Sequence, residues 1–121
     1  MSSEFFGEMN GILQLSDNDN VVSQIFFEDD LTICIEKWNG IKCSIICGEC
    51  CKSEINGSMG FEIGAIKIKK VCESGDEFER GFILENSDYR EYKELIFYDP
   101  WDIDRINFRA VAKRFILEDG K

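Results

Sequence analysis

No histidine occurs in this chain of 121 residues. That removes the commonest general base, the Ser-His and Cys-His nucleophile pairs, and every zinc site that needs imidazole. Carboxylates remain, but 24 of them guarantee chance neighbours, and no spacing singles out a pair. The chain therefore reads as a binding protein and not as an enzyme.

Six cysteines are the next candidates. Cys43, Cys47, Cys50 and Cys51 have the composition of a tetrahedral thiolate site, and Cys47-Gly48-Glu49-Cys50 has the spacing of a zinc knuckle or redox pair. Only one such knuckle exists, however, and Cys43 and Cys47 fall on one strand face, where small thiols pack as core. Structural thiols, with no metal or other cofactor, are the expectation. Asp17-Asn18-Asp19-Asn20 opens like a calcium loop, but Val21 and Val22 stand where an oxygen ligand and a glycine are needed, so it reads as a turn.

Charge carries more information. The chain has 24 acids against 14 bases and a net charge of −10. Residues 1–36 carry eight acids and no Lys or Arg, and the remainder is close to neutral. Such a surface repels phosphate backbones and anionic lipid, which argues against nucleic-acid and membrane partners, and it attracts a basic protein. Asp17, Asp19, Glu28, Asp29, Asp30 and Glu36 are the candidate partner-binding carboxylates. The chain's own Arg105, Arg109, Lys113 and Arg114 could neutralise part of them. Trp38 and Trp101 read first as covers for the ends of the core and second as interface anchors, with Trp38 the candidate beside the acidic third.

In size and charge alone, this profile resembles bacterial immunity proteins and other small inhibitors of toxic nucleases, whose clefts are basic because they hold phosphate. The resemblance implies a partner-masking role and carries over no residue. Two other readings stay open: a β-barrel enclosing a small molecule or lipid, lined by some of the ten Phe, and a zinc-stabilised interaction module.

The elements that must position these residues begin with Val21 to Cys47, three β-rich runs separated by Glu28-Asp29-Asp30 and Asn39-Gly40. Asn-Gly between apolar runs predicts a tight hairpin. Val21, Ile25 and Phe27 fall on one face of the first run, Val22 and Phe26 on the other. Met59 to Val71 reads as a long strand with a bulge at Gly64, where the apolar phase shifts. Glu73 to Glu79 reads as a turn, and Gly81 to Leu84 and Tyr92 to Tyr98 as strands. Asp99-Pro100-Trp101-Asp102 has the form of a helix start, which predicts a helix to about Leu117, or one broken so that Lys113 to Leu117 enters a strand.

The predicted fold is α+β: a predominantly antiparallel β meander of about six or seven strands, forming a small sandwich or partly closed barrel, with one C-terminal helix. Residues 1–121 form one domain. No apolar run is long enough to span a membrane, and the opening MSSEFFGEMN lacks the basic and apolar regions of a secretory signal, so a cytoplasmic protein with reduced thiols is expected.

Overall fold

Alternation of large apolar residues with polar or small ones divides the chain into strands with one face worth burying. In the computed structural model, Ile12, Leu15 and residues 20–50, 52–56, 59–71 and 77–119 are described. Their strands are β1 (Val21–Phe27), β2 (Leu31–Glu36), β3 (Lys42–Gly48), β4 (Lys52–Ile55), β5 (Ile66–Lys70), β6 (Lys93–Tyr98), β7 (Ile106–Ala112) and β8 (Arg114–Asp119). A helix, α1 (Glu77–Glu85), and a 3-10 turn at Tyr89–Glu91 lie between β5 and β6. All pairing between strands is antiparallel, in two four-stranded sheets ordered β1-β2-β3-β8 and β4-β7-β6-β5. The fold is thus α+β, mostly antiparallel sheet with one helix, and it has eight strands among the described residues. Neither sheet closes into a barrel.

The sheets face each other across one core. Leu31, Ile33, Ile35, Cys43, Ile45, Cys47 and Phe115 come from the first sheet, and Leu95, Phe97, Phe108, Ala110 and Ala112 from the second. Phe97 and Phe108, paired across β6 and β7, hold their rings 5.7 Å apart. Each buried Leu, Ile or Phe contributes about 1.5–3 kcal/mol through apolar area removed from water. The outer face of the second sheet is covered by α1, whose Phe82 meets Tyr92 edge-on at 5.0 Å over Val71 and Val111. Acids at Glu77 and Glu79 suit the positive end of this helix. At its other end Asn86 Nδ2 donates to the Phe82 carbonyl at 2.9 Å.

Several expectations are corrected. The helix α1 lies at Glu77–Glu85, not at the C terminus, and the chain expected to be helical is β7 and β8, with the latter realising the alternative of a strand entered near Lys113. Gly81 to Leu84, read as strand, belongs to α1, as does the end of the expected acidic turn. In β1 a register shift at Ser23 places Val22 and Ile25 on the core face, opposite Ile35 and Ile33. The Asn39-Gly40 hairpin is not the two-residue form: Gly40 N donates to the Lys37 carbonyl, Gly40 has φ +82°, and Asn39 stays at negative φ. That is a turn followed by a left-handed glycine, a three-residue loop.

Met59 to Val71 is not one bulged strand but a crossover. Residues 60–63 hydrogen-bond along β1, with Val22 N to Phe61 O at 2.9 Å and Ile63 N to Asn20 O at 2.8 Å. From Gly64 the chain pairs instead with β6, Gly64 N donating to Tyr98 O at 2.9 Å. The phase shift at Gly64 therefore marks a change of sheet. A Cβ here would lie 2.7 Å from the Pro100 backbone and from Tyr98 O, so only glycine fits the corner.

Candidate functional site

The two sheets bury their inner faces on each other, and α1 covers the far side of the second sheet. Among the described residues nothing covers the outer face of the first sheet. There the register aligns Phe26, Thr32, Ile46 and Ile116 in one row across all four strands, and Gln24, Cys34, Ser44 and Glu118 in the next. Phe26, Ile46 and Ile116 are only half-buried. The periodicity that turns Ile33 and Ile35 inward is what turns Thr32, Cys34 and Glu36 outward.

The sequence-predicted acids bracket this face. Glu28, Asp29 and Asp30 form the exposed to half-buried tip of the β1–β2 hairpin, and Glu36 lies at the far end of β2. Five strand steps separate these ends, about 17 Å, so they are not one cluster. Trp38 sits beyond Glu36 in the next turn and is 69% exposed. Asp17 and Asp19 lie outside the described residues, as do Cys51 and Cys72.

Among the described residues, the basic residues of the C-terminal segment form no salt bridge with Glu28, Asp29, Asp30 or Glu36. Arg109 is buried on the other sheet, its Nε 2.6 Å from Glu94 Oε2 and its guanidinium 4.2 Å from the centre of the Phe78 ring. Lys69 binds Glu79 at 2.8 Å. Arg114 pairs with Glu49 at 2.8 Å, and Lys113 lies between Glu49 and Glu91 at 3.8 and 3.7 Å. Glu28, Asp29, Asp30 and Glu36 form no salt bridge among the described residues. Lys42, opposite Glu36 in the register, does not close one.

Electrostatics inside the molecule separate structural from available carboxylates. Burial pushes the Glu94 carboxyl up despite Arg109 beside it, and its Oε1 has no hydrogen-bond partner. The Arg114 hydrogen bond holds Glu49 below the usual range, and the Trp101 backbone N–H does the same for Asp99. Burial pushes the Cys47 thiol far up, which makes it a poor nucleophile or redox thiol. Cys43 and Cys47 face the core, while Cys34 lies on the outer face across from Ser44. Among the described residues no three His, Cys, Asp or Glu side chains are gathered as a metal would require.

Two aromatic positions change the inventory. Phe27, on the face of β1 that carries Ile25, is 63% exposed beside the acidic tip. Trp101 is 87% exposed, so neither tryptophan caps the core. Trp101 lies between Asp99-Pro100 and Asp102, a setting that fits a helix start as well as an exposed loop. Also among the described residues, no helix is long and apolar enough to cross a membrane.

Comparison with known proteins adds no relative: no family model, no curated protein and no solved structure matches the chain.

Proposed function

We propose that this is a small acidic binding protein that captures a basic protein through the outer face of its first sheet. In this reading it is an immunity-type inhibitor, which masks the basic substrate cleft of a toxin or nuclease in the cytoplasm. The observation that carries the reading is the allocation of charge. The cations Lys69, Arg109, Lys113 and Arg114 are committed to Glu79, Glu94, Glu49 and Glu91, while among the described residues Glu28, Asp29, Asp30 and Glu36 form no salt bridge and nothing covers the partly apolar sheet face between them.

Unpaired carboxylates on a rigid sheet steer a cationic partner at long range and raise association rates above the roughly 10⁵–10⁶ M⁻¹s⁻¹ of uncharged surfaces. Phe26, Ile46 and Ile116 then supply the apolar contact that charge alone does not. Occlusion of a cleft needs no catalytic group from the inhibitor, in keeping with a histidine-free chain.

The test is inhibition by titration. The basic protein captured at low salt is assayed for its own activity with increasing amounts of this chain; full loss at equimolar ratio supports masking. A partner that stays fully active when saturated rules out occlusion.

A further inference from the structure

The outer face of the first sheet is about 14 Å across and about 17 Å long. Its projected area is roughly 240 Å², well short of the roughly 800 Å² that each side of a stable interface buries. A partner held there must reach beyond the sheet, and one end of the sandwich is built to receive it.

At that end, two loops display large apolar side chains. The β2–β3 turn carries Trp38 and Ile41, both exposed, and the β6–β7 loop, residues 99–105, carries Trp101 and Ile103, the latter 78% exposed. A chain of contacts sets the loops at the same end. Asn20 Oδ1 accepts from Trp38 N at 3.3 Å, the Asn20 carbonyl accepts from Ile63 N, and the adjoining Gly64 packs on Pro100. Around Trp38 the charge is mixed, with Glu36 set between Lys37 and Lys42, so the one-sided acidity at this end belongs to the β6–β7 loop.

Exposure of Trp101 and Ile103 does not come from a slack loop. Asp99 Oδ1 accepts from Trp101 N at 2.8 Å, and Asp102 Oδ1 accepts from Asp104 N at 3.0 Å. Asp99 N donates to Arg105 O at 2.9 Å and Arg105 N to Asp102 O at 3.0 Å, closing the loop on itself. Asn107 Nδ2 reaches Asp99 Oδ2 at 3.4 Å from β7. A loop ordered in advance loses little conformational entropy on binding, which is what an anchor requires. Its charge is one-sided: Asp99, Asp102 and Asp104 against Arg105.

We infer that loop 99–105 is a recognition loop whose Trp101 and Ile103 anchor a basic, partly apolar segment of a protein partner, with Asp99, Asp102 and Asp104 facing its cations. The partner's Arg or Lys stacks on the Trp101 ring, and an aliphatic neighbour covers Ile103. This rests on the proposed function for the sign of the partner's charge, and it assigns the tightest contact to a loop 60 or more residues away in sequence from the acidic third.

The test uses Trp38→Phe, which leaves Trp101 as the sole tryptophan, and a synthetic peptide of alternating Lys and Leu, ~20 residues long, as the probe. The expected result is a blue shift of Trp101 emission and protection from acrylamide on peptide addition. Trp101→Ala and Ile103→Ala should each weaken binding about tenfold or more. Their melting temperatures should not move, because both side chains stand in water. Binding by calorimetry with silent Trp101 emission and undiminished affinity in Trp101→Ala overturns the recognition loop, while loss of that binding in Asp29→Lys/Asp30→Lys leaves the sheet-face reading intact. Binding indifferent to both sets of variants overturns both.

Discussion

Arg109 and Glu94 form an ion pair buried between the second sheet and α1, with Nε 2.6 Å from Oε2 and both side chains almost wholly out of water. Glu79 reaches the pair from the helix and Lys69 from β5, at 3.8 Å from the guanidinium and 3.7 Å from Glu94 Oε1. Two acids and two bases thus compensate one another where α1 meets the sheet, and the Phe78 ring contacts both the Arg109 and Lys52 cations. This quartet holds the fold and withholds its cations from the acidic face.

Removing one member of the pair should therefore cost far more than removing both. Arg109→Met leaves the buried Glu94 with only Lys69, 3.7 Å away, as a counter-charge and should destabilise by about 3 kcal/mol. The double variant Arg109→Met/Glu94→Leu should recover most of that loss, since apolar replacement of a buried pair is often neutral or better. Urea denaturation of the three proteins measures the difference, and equal losses in single and double variants would contradict the compensation described.

The pH dependence follows from the direction of each shift. Burial raises the Glu94 carboxyl above 4.5 in the folded state, so its protonated form favours folding. That contribution is complete below 4.5 and is lost as pH rises through the folded value. For Lys69, burial lowers the pKa, but the hydrogen bond and charge of Glu79 outweigh it, so the net shift is upward from 10.5. Its contribution is present below 10.5 and is lost as pH rises through the higher folded value. Stability measured against pH should thus slope down above 4.5 on the acid side, with the slope reduced in Glu94→Gln, and fall again at strongly alkaline pH, less so in Lys69→Met.

Gly64→Ala should destabilise by about 1–3 kcal/mol, because the new methyl meets backbone atoms of Pro100 and Tyr98 and no flexible side chain can yield. The same change at Gly48 has the Arg114 side chain, not backbone, as its nearest neighbour, and rotation of that chain should make it cost less. Thermal unfolding of the two variants checks the order.

Charge reversal on the sheet face should act on association and not on folding. Asp29→Lys, Asp30→Lys and Glu36→Lys together should slow binding of a basic partner by about tenfold or more at low salt, with little change at ~0.5 M salt. Stopped-flow association at the two ionic strengths separates the electrostatic part from the rest.

The sequence made the first three strands legible because turn formers and alternation agreed there: Leu31, Ile33 and Ile35 can face one core only as a strand. The C-terminal half was ambiguous for a geometric reason. Arg105, Arg109 and Lys113 recur every four residues, a spacing that keeps them on one side of a helix and equally of a strand. What separates the two is Phe108, Ala110 and Ala112 alternating with Asn107, Arg109 and Val111, a period of two that two small alanines concealed. Asp99-Pro100, which fits the start of a helix, instead opens a hairpin loop in which Asp99 caps the Trp101 N–H. The acids of the candidate face were legible as charge, and their division between the two ends of β2 follows from the length of that strand. The commitment of Arg109 to Glu94 depends on long-range pairing of β6 with β7.

The most direct test of the central claim is a pull-down from source-cell lysate with the unaltered chain and the Asp29→Lys/Asp30→Lys/Glu36→Lys variant, at ~0.05 M and then ~0.5 M salt. A basic protein retained by the unaltered chain at low salt, released at high salt and not retained by the variant is the predicted result. The same proteins retained by both chains, or no basic protein retained by either, would contradict it.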